Sequence, residues 1–183
     1  TKHDYEAGWR HYLASLKHSF RQSNAGWIQQ SVQIIKMHED KQNRGAIVAS
    51  LSKPSIPDSE RASDGNSGGY HLVWPRDLYH AALALLAAGD TETPLNVLDY
   101  LVRTQKENGA WNQNFWVNGN PYWQGIQLDE IAYPILLVSH LKNKLKLSPS
   151  LNVLKMIEKA AIFLTAYGPK TQQDRWEENE GYS

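Results

Sequence analysis

Cysteine is absent from the chain. That excludes disulfides and thiolate metal sites, though an exported protein can also do without cysteine, so secretion or a periplasmic location stays open. An excess charge of either sign is absent too, with 19 Lys plus Arg balancing 19 Asp plus Glu. Zero formal net charge, with no long block of one sign, leaves no electrostatic footprint for nucleic acid or for an acidic membrane surface. No apolar run approaches the roughly 18 residues needed to cross a bilayer; the longest, Ala81 to Ala88, is far shorter. The Thr1-Lys2-His3-Asp4 start carries no signal-peptide core. Phenylalanine is scarce: three residues, beside seven Trp and nine Tyr. Trp and Tyr pair a flat apolar face with a hydrogen-bonding edge. This matches the surface of a sugar, whose C–H faces are apolar and whose rim is hydroxylated. A Trp-rich core is the competing explanation.

The 183 residues, 41% of them apolar, suffice for about one domain. Apolar residues at three- and four-residue spacing predict helices. The first spans Asp4 to Arg21, with Tyr5, Trp9, Tyr12, Leu13, Leu16 and Phe20 on one face. The second spans about Trp27 to His38. Ile47-Val48-Ala49 reads as one short strand. A third helix covers Arg76 to Ala88, closed by Gly89. A fourth begins at Asp90 to Pro94 and ends near Lys106. A fifth covers Leu128 to Leu145, where Pro134 is expected to kink the helix or push its start downstream. A sixth covers Ser150 to Tyr167. Long loops, 52–69 and 110–125, and a polar tail after Pro169 separate alternate helices and carry the conspicuous residues. Six helices with chemistry in every second loop indicate an all-α, α/α architecture with one functional rim.

Three clusters could carry chemistry. In Trp74-Pro75-Arg76-Asp77, a donor-only guanidinium adjoins an acceptor-only carboxylate in the first turn of a helix. The pair suits adjacent sugar hydroxyls, or is simply a charge pair at a helix start. Between Trp111 and Glu130, Trp111, Phe115, Trp116, Tyr122 and Trp123 alternate with Asn112, Gln113 and Asn114, and the acids Asp129 and Glu130 follow. This is either a wall for an uncharged polyhydroxyl ligand or an Ω-loop packed on its own aromatics. In Asp174-Arg175-Trp176-Glu177-Glu178, adjacent carboxylates beside a Trp could raise one pKa, as a general acid requires, or form a solvated acidic tail. His38-Glu39-Asp40 lacks a metal-ligand partner at helical spacing, and no phosphate-binding Gly-rich loop of the P-loop or Rossmann type occurs. Gly65-Asn66-Ser67-Gly68-Gly69 has the letters of a nucleophile elbow without its strand-to-helix setting.

Taken in order, these stretches resemble glycoside hydrolase family 15, which includes bacterial glucoamylases and glucodextranases. The resemblance runs through Gly45-Ala46-Ile47-Val48-Ala49-Ser50, Gly68-Gly69-Tyr70-His71, Trp74-Pro75-Arg76-Asp77, Gln113-Asn114-Phe115-Trp116, Tyr122-Trp123-Gln124-Gly125-Ile126-Gln127-Leu128-Asp129-Glu130 and Arg175-Trp176-Glu177-Glu178. It implies an (α/α)6 barrel of twelve helices, of which this chain would hold about the first half. It implies inverting, exo-acting hydrolysis of α-glucosidic bonds in an α-glucan oligosaccharide, with no metal or organic cofactor. By resemblance Glu177 is the general acid and Glu178 a substrate-binding acid. Arg76 and Asp77 would hold the terminal glucose, Trp123 and Trp74 would supply aromatic surface, and Asp129 and Asp174 would line the pocket. The family's general base lies in the second half of the barrel. The chain's partner is therefore expected to be the remainder of its own catalytic domain; alone it is expected to be inactive and poorly stable, with a large apolar face open. The rival expectations are a carbohydrate-binding protein without catalysis and a structural α/α domain that binds a protein partner.

Overall fold

A computed structural model describes residues 1–16, 25–52 and 69–169 of the chain. Among them are six helices: α1 (Lys2–Ser15), α2 (Ala25–Met37), α3 (Pro75–Ala87), α4 (Glu92–Thr104), α5 (Leu128–Leu145) and α6 (Leu151–Tyr167). No strand of more than an isolated bridge occurs among the described residues. The short strand expected at Ile47-Val48-Ala49 is only a bridge from Ile47 to Glu39. Its backbone donors go instead to two neighbouring segments, Val48 to His38 O and Ala49 to Leu72 O.

The helices pack in two layers. α3 lies beside α5, α4 covers both, and α6 continues the second layer against α5 and α4. The apolar spacing accounts for this. Leu78, Ala82 and Leu85 of α3 meet Val97, Tyr100 and Leu101 of α4, and Ile131, Leu137, Val138 and Leu141 of α5 join the same core. α6 adds Val153, Met156, Ala160 and Phe163. Each of the Leu, Ile, Val, Met and Phe side chains removed from water contributes about 1.5–3 kcal/mol, and the alanines less. α6 also exposes Leu151, Leu154 and Ile162. An apolar stripe on both sides of one helix is the pattern of a helix meant to be covered on both.

The first helix is shorter than expected. α1 was expected to run to Arg21, but it ends at Ser15, with Leu16 already extended, and residues 17–24 lie outside those described. No residue of α1 is buried. Its aromatic face, Tyr5, Trp9 and Tyr12, packs edge to face within the helix. The helix is anchored by Tyr12, whose hydroxyl donates to Asp90 at 2.9 Å. Periodicity records only which residues share a face, and here the face stays partly wet. Of the two outcomes expected at Pro134 in α5, a kink or a later start, the later start does not occur: the helix begins at Leu128 with Pro134 inside it. The first turn is held from outside by a cation on Asp129, described below.

Beyond the C-terminus of α3 a buried polar knot ties α1, α2 and α4 together. Asp90 accepts the backbone N–H groups of Glu92 and Thr93 at 3.0 and 2.9 Å, capping α4. Lys36 of α2 sits between Glu39, at 2.5 Å, and Asp90, at 3.9 Å, and donates to the Thr93 hydroxyl. Burial and the Asp90 carboxylate push the Tyr12 phenol well above its ordinary pKa.

Two glycines mark where backbones touch. Gly45 has φ +82° and a Cβ there would lie 2.0 Å from the Asn96 carbonyl oxygen; Gly109 has φ +95° and would meet Lys159 O at 2.1 Å. Both contacts are with helix backbone, which cannot yield. Gly45→Ala and Gly109→Ala are each expected to cost about 3 kcal/mol or more, combining overpacking with left-handed strain. Urea unfolding of the purified variants checks this; midpoints unchanged from the parent would contradict the close approach.

Candidate functional site

The loops that precede α3 and α5 are stitched together before either helix starts. Val73 and Phe115 exchange both backbone hydrogen bonds, at 2.8 and 2.9 Å, and both side chains are buried. From this bridge the chain enters α3 at Trp74-Pro75, with Pro at the first helical position, where its missing N–H costs nothing. The loop before α5 folds back on itself: Trp116 N donates to Asn120 O, and Tyr122 N to Asn114 O. Trp116, Tyr122 and Trp123 are thereby carried on one arm.

The aromatics form a continuous wall. Tyr70 stacks on Trp74 at 5.7 Å, Trp74 meets Trp123 edge to face at 6.2 Å, Trp123 lies 5.6 Å from Tyr122, and Tyr122 meets Trp116 at 5.2 Å. Trp74 is only 3% exposed, so it offers little face to a ligand. The ring on the surface is Tyr70, 64% exposed, which the sequence reading quoted without giving it a role. Trp123 is half-buried. Its position is set by Asn114, whose Oδ1 accepts the Trp123 backbone N–H at 2.8 Å.

Asn112, Gln113 and Asn114, read as possible sugar-facing edges, are all buried. For them the packed Ω-loop alternative is the one observed. Further scaffolding comes from Trp111, whose indole N–H donates to Leu101 O at 3.0 Å, and from Gln105, which donates to Met156 O at 2.9 Å.

Arg76 and Asp77 are consecutive on α3 and so diverge by about 100° around the helix. Arg76 reaches across to the start of α5. Its Nη1 donates to Asp129 Oδ2 at 2.7 Å, its Nη2 donates to Gln127 Oε1 at 3.1 Å, and Nη2 lies 3.6 Å from Glu130 Oε1. Burial works against the guanidinium charge, yet the carboxylates of Glu130, Asp129 and Asp77 hold its pKa above the ordinary arginine value. Asp77 is exposed and lines a cavity of about 320 Å³ with His38, Ile47, Val48 and His80. Gln127 and Glu130 received no role from the sequence, and both are buried. The available signal was an acid directly after Asp129, and sequence alone does not say which of two adjacent acids turns inward. Asp174, Glu177 and Glu178 lie outside the described residues. Among the described residues no group of three or more His, Asp or Glu could hold a metal ion.

The sequence pattern of glycosyl hydrolases family 15 matches residues 22–112 and 102–183. With the match spanning most of its length, the chain belongs to that family. The glucoamylase of Clostridium sp. (strain G0005) is 46% identical over 182 residues, covering 100% of this chain and 24% of that protein. An uncharacterized glycosyl hydrolase of Methanocaldococcus jannaschii is 35% identical over 63 residues, 34% of this chain and 10% of that protein. A bacterial glucoamylase crystallised with acarbose superposes with a TM-score of 0.78 at 43% identity, covering 100% of this chain and 26% of that one. A solved glycosidase at 19% identity and TM-score 0.64 supports the fold alone. The fold is therefore part of an (α/α)6 barrel of the glucoamylase kind. The chain spans about a quarter of the length of the two glucoamylases.

The Asn114 contact can be tested apart from catalysis. Asn114→Ala leaves the half-buried Trp123 N–H without its acceptor, and is expected to destabilise the protein by about 1 kcal/mol. The Trp fluorescence of the native baseline should shift as Trp123 loosens. An unchanged unfolding midpoint and spectrum would show that Asn114 does not hold the arm.

Proposed function

We propose that this chain supplies one side of the sugar pocket of an inverting, exo-acting α-glucosidase that releases β-glucose from the non-reducing ends of α-glucan oligosaccharides. The observation that carries the proposal is the convergence of two motifs far apart in sequence. Arg76 at the start of α3 meets Asp129 and Gln127 at the start of α5, beside an aromatic wall ending in the exposed Tyr70. Two helix N-termini, a guanidinium and carboxylates at one rim are suited to a neutral ligand bristling with hydroxyls, each of which both donates and accepts. The wall offers the apolar surface that a pyranose ring covers.

In this reading Arg76 and Asp77 orient the terminal glucose from two directions. Trp123, with Trp74 behind it, bounds the ring, and Asp129 serves the pocket through Arg76. Asp174 and Glu178 complete the polar lining, and Glu177 protonates the departing glycosidic oxygen. Inversion requires a second carboxylate that activates water from the opposite face, roughly 6.5–9.5 Å from the acid. We assign that base to sequence outside this chain, in the remainder of a catalytic domain of which residues 1–183 are a part. That remainder would also cover the apolar side of α6 formed by Leu151, Leu154 and Ile162. No metal or organic cofactor takes part, and the α-1,4 linkage is the favoured substrate bond.

Proton NMR of the full-length gene product with maltotriose reads the anomer formed first. The expected result is β-glucose, lost in Glu177→Gln, with slower turnover of isomaltotriose and of trehalose. Early α-glucose, or binding without turnover in both forms, would overturn the assignment. The latter result would favour a non-catalytic carbohydrate-binding protein.

A further inference from the structure

We propose that Glu130 and Gln127 are positioning residues for the sugar-binding step: together they fix the plane of the Arg76 guanidinium, so that its remaining N–H groups face the terminal glucose. The proposal rests on the reading of Arg76 as a sugar-binding residue, and extends it to two side chains that do not themselves reach the ligand.

The geometry points there in three ways. First, Gln127 occupies the N-cap position of α5, yet its side chain makes no capping bond. Its Oε1 instead accepts from Arg76 Nη2 at 3.1 Å. A side chain in a position that normally serves its own helix is turned toward the neighbouring one. Second, Glu130 is a carboxylate with 1% of its surface exposed, and Gln127 has 2%. Burying an acid costs several kcal/mol in desolvation, which only well-placed partners offset, and the charged partner at this point is the Arg76 guanidinium. Third, the contacts fall on both terminal nitrogens of one planar group. Asp129 holds Nη1 at 2.7 Å, while Gln127 and Glu130 flank Nη2 at 3.1 and 3.6 Å. Guanidinium offers five N–H donors in a rigid fork. Anchoring both terminal nitrogens from one side leaves the group no rotation about its long axis, and the remaining donors point in fixed directions. A carboxylate at 3.6 Å adds attraction without demanding a short bond, and so steadies the fork without closing off Nη2.

The test is a double-mutant cycle in the full-length gene product, scored by kcat and KM for glucose release from maltotriose. Glu130→Gln keeps the volume and removes the charge. Arg76→Lys keeps the charge and removes the fork. Glu130→Gln alone is expected to lower kcat/KM by about tenfold or more, with an unfolding midpoint within a few degrees of the parent. In the Arg76→Lys background it should add less than about twofold, because residues that act as a unit are not additive. Equal losses in both backgrounds, or no loss in the parent, would overturn the proposal. If Glu130→Gln fails to fold, Gln127→Met removes the other acceptor and runs the same cycle with the same criteria. If Arg76→Lys leaves kcat/KM unchanged, the sugar-binding reading of Arg76 fails and takes this proposal with it. That outcome is distinct from additive losses, in which Arg76 matters and Glu130 acts on something else.

Discussion

The bond between Arg76 and Asp129 joins the first turns of the two helices that form one layer of the fold. Without it, α3 and α5 would still share an apolar core through Leu78, Leu85, Ile131 and Leu137. What they would lose is a fixed relation between the ends that carry Arg76 and Asp129. A hydrophobic interface resists separation strongly and sliding weakly, because contact area is nondirectional. A charge-assisted hydrogen bond at 2.7 Å is short and directional, and it fixes the register that the core leaves soft. Pro134 removes one hydrogen bond of α5 just below the first turn, the turn that Arg76 contacts from the side.

The two ends of α3 make a contrast. Beyond its C-terminus, Lys36, Glu39, Asp90 and Thr93 form a closed polar knot in which the buried charges face one another and a backbone cap. At its N-terminus, one guanidinium is shared by Asp129 and the buried Glu130, while Asp77 stands exposed beside it. Both ends use ion pairs. The first pins α1 and α2 to the body, and the second leaves polar groups at a rim walled by Tyr70, Trp123 and Tyr122. Thirteen residues of helix separate them, about 20 Å of rise.

Much of this was legible in the amino-acid order. The bounds of α5 match those read from periodicity, and those of α3 and α6 fall within one residue, because Pro75, Gly89 and Ser150 punctuate strong apolar patterns. The pairing of family motifs with loops before alternate helices was legible for the same reason. The illegible parts depend on tertiary depth. Asn112, Gln113 and Asn114 could face sugar or support a loop, since an amide does either, and only the fold turns them inward. Trp74 and Tyr70 are four residues apart and chemically alike in offering a ring, but the stack buries the first and exposes the second. Asp129 and Glu130 differ by one residue; helix geometry points them in different directions, and only the packing of α5 against its neighbours decides that the second is enclosed.

The account stands or falls on whether Arg76 meets sugar while it remains tied to α5. A crystal structure of the full-length gene product with acarbose, the compound held by the solved relative, tests this directly. The account predicts that the terminal ring accepts hydrogen bonds from the Arg76 guanidinium, with the 2.7 Å bond to Asp129 intact and Tyr70 and Trp123 along the ring. A ring seated away from Arg76, or an Arg76 that leaves Asp129 to reach it, would contradict the account.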